Sequence, residues 1–185
     1  LKNIYPYFKE EFFLKWSMDE LEKEITIIIG SLEHLGWIVH QEQILSIPAD
    51  EHMQNQLVTL AHLSASSLNN MTMIAALLQH YAPLQALSLK ELEKMGKAVL
   101  NKLSQTKKIQ AGYYFDSATL KSFIAILKQN GLLSTQENHF VISDDFEEKM
   151  SAIFNWYDPE TRQAITEAVH YKEKELKGFK QSHKN

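Results

Sequence analysis

Leu127-Lys128-Gln129-Asn130-Gly131-Leu132-Leu133-Ser134-Thr135-Gln136-Glu137-Asn138-His139-Phe140-Val141-Ile142 holds a complete folding unit in one line. Upstream of it, Leu120, Phe123, Ile124 and Leu127 recur at the i, i+3, i+4, i+7 spacing of one helix face, and Asp116 stands where a helix cap belongs. Gly131 supplies the left-handed backbone that stops the helix. Leu132-Leu133 and Phe140-Val141-Ile142 then read as two short strands around a polar turn, which makes a hairpin.

Working outward, the same order recurs in Leu32-Glu33-His34-Leu35-Gly36-Trp37-Ile38-Val39-His40-Gln41-Glu42-Gln43-Ile44-Leu45-Ser46-Ile47. An apolar helix meets a Gly stop, then a short strand, a Gln-Glu turn and a second strand. Helices followed by such a hairpin give the sequence pattern of a winged-helix unit. The match leaves open both a duplication and a convergence on one supersecondary unit.

The rest of the chain is helical in period. Ser17-Met18-Asp19-Glu20 is a capping box, and Leu21, Ile25, Ile28, Ile29, Leu32 and Leu35 fall on one stripe behind it. The β-branched run Ile25–Ile29 pulls toward strand, but the cap and the leucine spacing agree on helix. A long helical stretch runs from about Glu51 to about Tyr81, with Leu57, Leu60, Ala61, Leu68, Met71, Ala75 and Leu78 on one stripe and Pro83 beyond its end. Ser88-Leu89-Lys90-Glu91 is a second capping box, opening a helix through Val99, Leu100 and Leu103. Asp158-Pro159 is a cap followed by Pro at the first helical position, ahead of Ile165 and Val169. The expected fold is mainly α, a helical domain with two winged-helix-like helix–hairpin units. Residues 1–49 form a helix pair plus hairpin, 50–110 a helical middle, and 111–185 the second unit with C-terminal helices, folded as one compact domain.

Composition excludes several function classes. Hydrophobic residues make up 44% of the 185 and charged residues 23%, as in a globular protein. The net charge is −4, and of 19 basic residues only Arg162 is an arginine, which argues against a nucleic-acid partner. No cysteine is present, so no disulfide framework, thiolate metal site or Cys nucleophile exists. The strongest apolar run, Ile25-Thr26-Ile27-Ile28-Ile29, is far short of the ~20 residues that span a bilayer. The first residue is Leu and the leader has no signal-peptide layout, so we expect a fragment of a longer polypeptide.

The candidate chemistry is thin. His139 and Asp144 have His-x-x-x-x-Asp spacing, that of an acid–base pair in which the imidazole deprotonates a hydroxyl and the carboxylate orients the ring. The intervening Phe140, Val141 and Ile142 read as a strand, not as a loop at a pocket mouth, so no catalytic residue is assigned. His52 and His62 lie ten apart, His34 and His40 straddle a helix end, and no His-Glu-x-x-His occurs, so no metal site is assigned. Ser64-Ala65-Ser66-Ser67 has no Gly elbow, and no Gly-rich loop marks a cofactor site. Lys107-Lys108 is a modest basic spot near a helix end. The tail beyond Tyr171 sets Lys172, Lys174, Lys177, Lys180 and Lys184 against Glu173 and Glu175; a solvated helix end is preferred to a lipid-binding one.

The opening Tyr5-Pro6-Tyr7-Phe8-Lys9-Glu10-Glu11-Phe12-Phe13-Leu14-Lys15-Trp16 has too many aromatics for a solvated leader. Phe8, Phe12, Phe13 and Trp16 are expected on one face of a helix, as a candidate docking face that is partly buried on this domain. This stretch resembles the segment that begins the C-terminal region of bacterial membrane-bound glycerol-3-phosphate acyltransferases, which reads Tyr-Pro-Phe-Leu-Lys-x-Glu-Leu-Phe-Leu-x-Trp. The resemblance continues at Leu57 to Leu78, at Leu92-Glu93-Lys94, at Tyr114-Phe115-Asp116 through Gly131-Leu132-Leu133-Ser134, and at Thr161-Arg162-Gln163-Ala164-Ile165-Thr166-Glu167-Ala168.

The resemblance implies a parent enzyme that transfers an acyl chain from acyl-CoA or acyl-carrier protein to sn-glycerol 3-phosphate, the committed step of phospholipid synthesis, at the cytoplasmic face of the inner membrane. The family's own His-x-x-x-x-Asp lies upstream of the matched region, so no catalytic residue carries over onto His139 or Asp144. The expected role is that of a non-catalytic C-terminal helical domain without cofactor, whose partner is the catalytic core of the parent chain, with a membrane surface as a further candidate. The alternative is a winged-helix-like interaction module in a regulatory protein. The acidic Met18-Asp19-Glu20-Leu21-Glu22-Lys23-Glu24 segment opposes DNA binding by such a module.

Overall fold

The computed structural model describes residues 5–41, 44–105, 115–155, 159 and 162–170, with backbone only at residues 62–64, 66 and 104. Along the chain run α1 (Tyr5–Glu11), α2 (Met18–His34), β1 (Val39–Gln41), β2 (Ile44–Ser46), α3 (Glu51–Tyr81), α4 (Leu89–Gln105), α5 (Ser117–Gln129), β3 (Leu133–Gln136), β4 (His139–Ile142) and α6 (Phe146–Phe154). Residues 162–170 are helical as well. The expectation of a mainly α fold holds. The Asp158 cap, the Lys107-Lys108 spot and the lysine tail lie outside the described residues.

Both capping boxes form. The Ser17 amide donates to Glu20 Oε2 at 2.7 Å while the Glu20 amide donates to Ser17 Oγ at 3.3 Å, and Ser88 and Glu91 repeat this at 2.8 and 3.3 Å. Asp116 accepts from the amides of Ala118 and Thr119 at 3.1 and 2.8 Å and opens α5. Asp50 does the same for α3, accepting from the Met53 amide at 2.9 Å. The capping box carries the β-branched run Ile25–Ile29 into α2 as helix.

The internal similarity is geometrical as well as textual. Gly36 has φ +72° and Gly131 φ +71°. The Trp37 amide donates to the Leu32 carbonyl and the Gly36 amide to that of Glu33, both at 2.9 Å; Leu132 to Leu127 and Gly131 to Lys128 match them at 2.9 and 3.1 Å. Each pair is a Schellman stop at equivalent positions. An antiparallel hairpin follows in both cases, with Val39 opposite Ser46 in one and Leu133 opposite Ile142 in the other. In the second, Glu137 (φ 48°) and Asn138 (φ 67°) make the tight two-residue turn that suits strand twist.

The two hairpins differ in where they sit. The second is seated in the core: Leu133 and Phe140 are buried, and the Phe140 amide donates to the Leu87 carbonyl at 2.9 Å. That core gathers Met71 to Tyr81 of α3, the apolar faces of α4, α5 and α6, and Ala164, Ile165, Ala168 and Val169, with Tyr7 inserted from α1. Leu120, Phe123, Ile124 and Leu127 are all buried, as their spacing requires.

The other expected stripes need correction. Phe8 packs against this core, but no residue described between it and Met71 belongs to the cluster. On α2 only Leu21 is buried, and Ile28 and Leu35 are exposed. On α3 the first buried residue among those described is Asn70, while Leu60 and Ala61 are exposed. The stripes are correctly helical, but they are covered only in part: Leu21 and the C-terminal half of the α3 stripe (Met71, Ala75, Leu78) are buried, whereas Ile28, Leu35, Leu60 and Ala61 are not. Among the described residues no helix is long and apolar enough to cross a membrane.

Candidate functional site

The opening aromatic segment is built differently from its expectation. The helix α1 stops at Glu11, so Phe8, Phe12, Phe13 and Trp16 do not share one helical face. The stop repeats the outer hydrogen bond of the two Schellman stops. The Leu14 amide donates to the Lys9 carbonyl at 2.9 Å, and Phe13, with φ 52°, takes the left-handed position that Gly36 and Gly131 hold elsewhere. Phe8 and Phe12 stack at 5.6 Å between ring centroids. Phe8, Phe12 and Trp16 are half-buried, whereas Phe13 is 88% exposed.

The anchors of this segment are Tyr5, Tyr7 and Glu11. The Tyr5 hydroxyl donates to the Trp16 carbonyl at 2.8 Å and closes the turn against the helix. The Tyr7 ring meets Phe123 edge-on at 5.3 Å, and burial pushes its phenol up to about 12. Glu11 Oε1 accepts from Ser67 Oγ of α3 at 2.7 Å and from Thr119 Oγ1 of α5 at 3.0 Å. Thr119 Oγ1 also lies 2.6 Å from Asp116 Oδ2, so one hydroxyl stands between two carboxylates. The Thr119 hydroxyl, with its amide and that of Ala118, holds the Asp116 carboxyl below the usual carboxylate range. The spacing of Phe8, Phe12, Phe13 and Trp16 gave no hint of these anchors. The signal available in the sequence was Tyr5 and Tyr7, two aromatics outside that set.

His139 and Asp144 do not meet. His139 opens β4, half-buried with Nδ1 buried and unpartnered, whereas Asp144 is exposed in the turn beyond the strand. A strand rise of about 3.3 Å per residue separates them by more than ~10 Å. Asp144 lines a groove of about 460 Å³ with Gln79, Pro83, Ser143 and Glu147, and His139 is not among its lining residues. A second cavity, of about 410 Å³, lies between α3, α6 and the 162–170 helix and is lined by His80, Phe154, Arg162, Thr166 and His170 among others. The His80 and His170 rings meet edge-on at 4.2 Å, and Arg162 donates to Asn155 Oδ1 at 3.0 Å. Sequence spacing could not bring these residues together, since 90 positions separate the two imidazoles. Among the described residues no group of three or more His, Asp or Glu could hold a metal ion.

Comparison with known proteins gives a consistent result. A family profile described as "Glycerol-3-phosphate acyltransferase C-terminal region" matches residues 1–136. Among similar curated proteins, the glycerol-3-phosphate acyltransferase of Haemophilus influenzae (strain PittEE) is 30% identical over 153 residues, 83% of this chain and 18% of that protein. The one from Actinobacillus succinogenes is 30% identical over 75% of this chain and 16% of its own length. That of Ectopseudomonas mendocina is 28% identical over 74% of this chain and 16% of its own. The chain thus spans about one sixth of the length of such relatives. No solved structure matches.

Proposed function

The chain belongs to the glycerol-3-phosphate acyltransferase C-terminal region family, and from that premise we propose that it is the non-catalytic helical domain of such an enzyme and works by docking onto the catalytic core. On this reading the parent transfers an acyl chain from acyl-CoA or acyl-carrier protein to sn-glycerol 3-phosphate at the cytoplasmic face of the bacterial inner membrane. The two helix–hairpin units resemble winged helices in element order, and they serve as scaffold, not as readers of nucleic acid.

One observation carries the docking role, and it concerns Phe13. A bulky residue in the left-handed region costs about 1–2 kcal/mol, and this one leaves its ring 88% in solvent. A strained residue that returns no packing to its own domain is a mark of function. Phe8, Phe12 and Trp16 stand beside it as the half-buried remainder of the docking face. The test of the non-catalytic part is acyl transfer by this chain alone, with palmitoyl-CoA and sn-glycerol 3-phosphate. No turnover is expected; a rate abolished by His139→Ala would overturn the reading.

A further inference from the structure

We propose that α2, the β1–β2 hairpin and the first half of α3 form an acidic arm that is clasped by a basic-rimmed cleft of the acyltransferase core. This deepens the docking reading and rests on it, but it names a second surface, distinct from Phe13.

The arm is apolar on more than one side. Ile27 and Ile28 of α2 are 51% and 45% exposed, within the width of one helical stripe. Ile44 and Leu45 are 70% and 45% exposed, and successive strand residues point to opposite faces of a hairpin. Val58 and Leu60 of α3 are exposed as well. None of these residues belongs to the core. A hairpin that is apolar on both faces is stable in water only when something encloses it.

Charge then selects the occupant. Between Ser17 and Ala61 the sequence sets Asp19, Glu20, Glu22, Glu24, Glu33, Glu42, Asp50 and Glu51 against Lys23 alone, a net −7, while the rest of the chain holds 18 basic and 15 acidic residues, a net +3. An anionic lipid surface repels such an arm. A second copy in a two-fold contact would set −7 against −7. Either would also cover one side only. A protein cleft with a basic rim satisfies the charge and encloses both faces of the hairpin. No described part of the chain closes such a cleft on these residues, and five sixths of the length of the relatives lies outside it.

The absence of cysteine makes the test direct. Ile28→Cys and Ile44→Cys report the arm, Phe13→Cys reports the opening segment, and Leu84→Cys, at a position 64% exposed outside the arm, is the control. Maleimide labelling of each is followed by peptide mass spectrometry, once in this chain and once in the full-length parent. Labelling at positions 28 and 44 should fall about tenfold or more in the parent, as expected for enclosed groups, and should recover in part at 0.5 M NaCl as salt screens the rim charges. The control should stay reactive. Protection at position 13 without protection at 28 and 44 would overturn the arm and leave the docking reading standing; protection at none of the three would overturn both. Protection of this chain by phosphatidylglycerol vesicles, or by raising its own concentration, would assign the arm to lipid or to a second copy and overturn the proposal. Two arm positions are probed so that a folding defect in one leaves the other as the readout.

Discussion

Phe13→Gly should make the isolated domain more stable while making it a worse partner. Glycine removes the left-handed penalty on Phe13, φ 52°, which is worth about 1–2 kcal/mol. Against this stands the small part of the ring that is covered. An aromatic side chain presents ~200 Å². With Phe13 88% exposed, about 25 Å² is buried, which at about 25 cal/mol per Å² comes to ~0.6 kcal/mol. The greater backbone entropy of an unfolded glycine takes back a further part of the gain, ~0.5 kcal/mol. The net is a stabilisation on the order of 0.5 kcal/mol, or a rise of about 1–2 °C in Tm for a chain of this size. Phe13→Ala is the control: it removes the ring but keeps the strain, and should not stabilise. The assays are urea unfolding of the isolated chain and thermal inactivation of the full-length parent. In the parent, Phe13→Gly should lower the inactivation temperature, because the docked ring is lost. If Phe13→Gly destabilises the isolated chain by more than ~1 kcal/mol, the ring packs within the domain and the strain argument fails.

The remaining predictions concern what holds the domain together. A Cβ built on Gly96 would run into the Phe115 ring, so Gly96→Ala should cost about 1–3 kcal/mol of overpacking against ~1 kcal/mol of helix propensity regained, seen as a lower urea midpoint. For Tyr7 the buried phenol stays protonated up to about 12, whereas in the unfolded chain it ionises near 10. Its contribution is therefore complete below pH 10 and is lost as pH rises toward 12, by at most about 2–3 kcal/mol. The stability difference between wild type and Tyr7→Phe, followed by urea midpoints from pH 9 to 12, should move in that direction. Asp116 is held below the usual carboxylate range by Thr119; its stabilisation is present above about pH 4 and falls away with acid, so Asp116→Asn should flatten the acid limb of stability.

Legibility in the sequence followed how local the governing interaction was. The caps at Ser17, Ser88 and Asp116, the stops at Gly36 and Gly131, and the two hairpins depend on residues within a few positions of each other, and all formed as read. Burial did not follow, because the stripe from Leu21 to Leu35 looks the same whether its partner lies in this chain or elsewhere. The aromatic face failed for a related reason. Spacings of four, one and three assume that the helix continues, and no glycine marked the stop at Phe13. Glu11 reaching Ser67 and Thr119, like His80 reaching His170, depends on tertiary placement that no short pattern records.

If this domain contributes contacts and no chemistry, the full-length parent carrying His139→Ala should transfer acyl chains with a kcat within about twofold of wild type, since His139 opens a strand far from Asp144 and no reacting group depends on it. A fall of about 10²-fold or more, the size expected on losing a general base, would instead place chemistry in this domain.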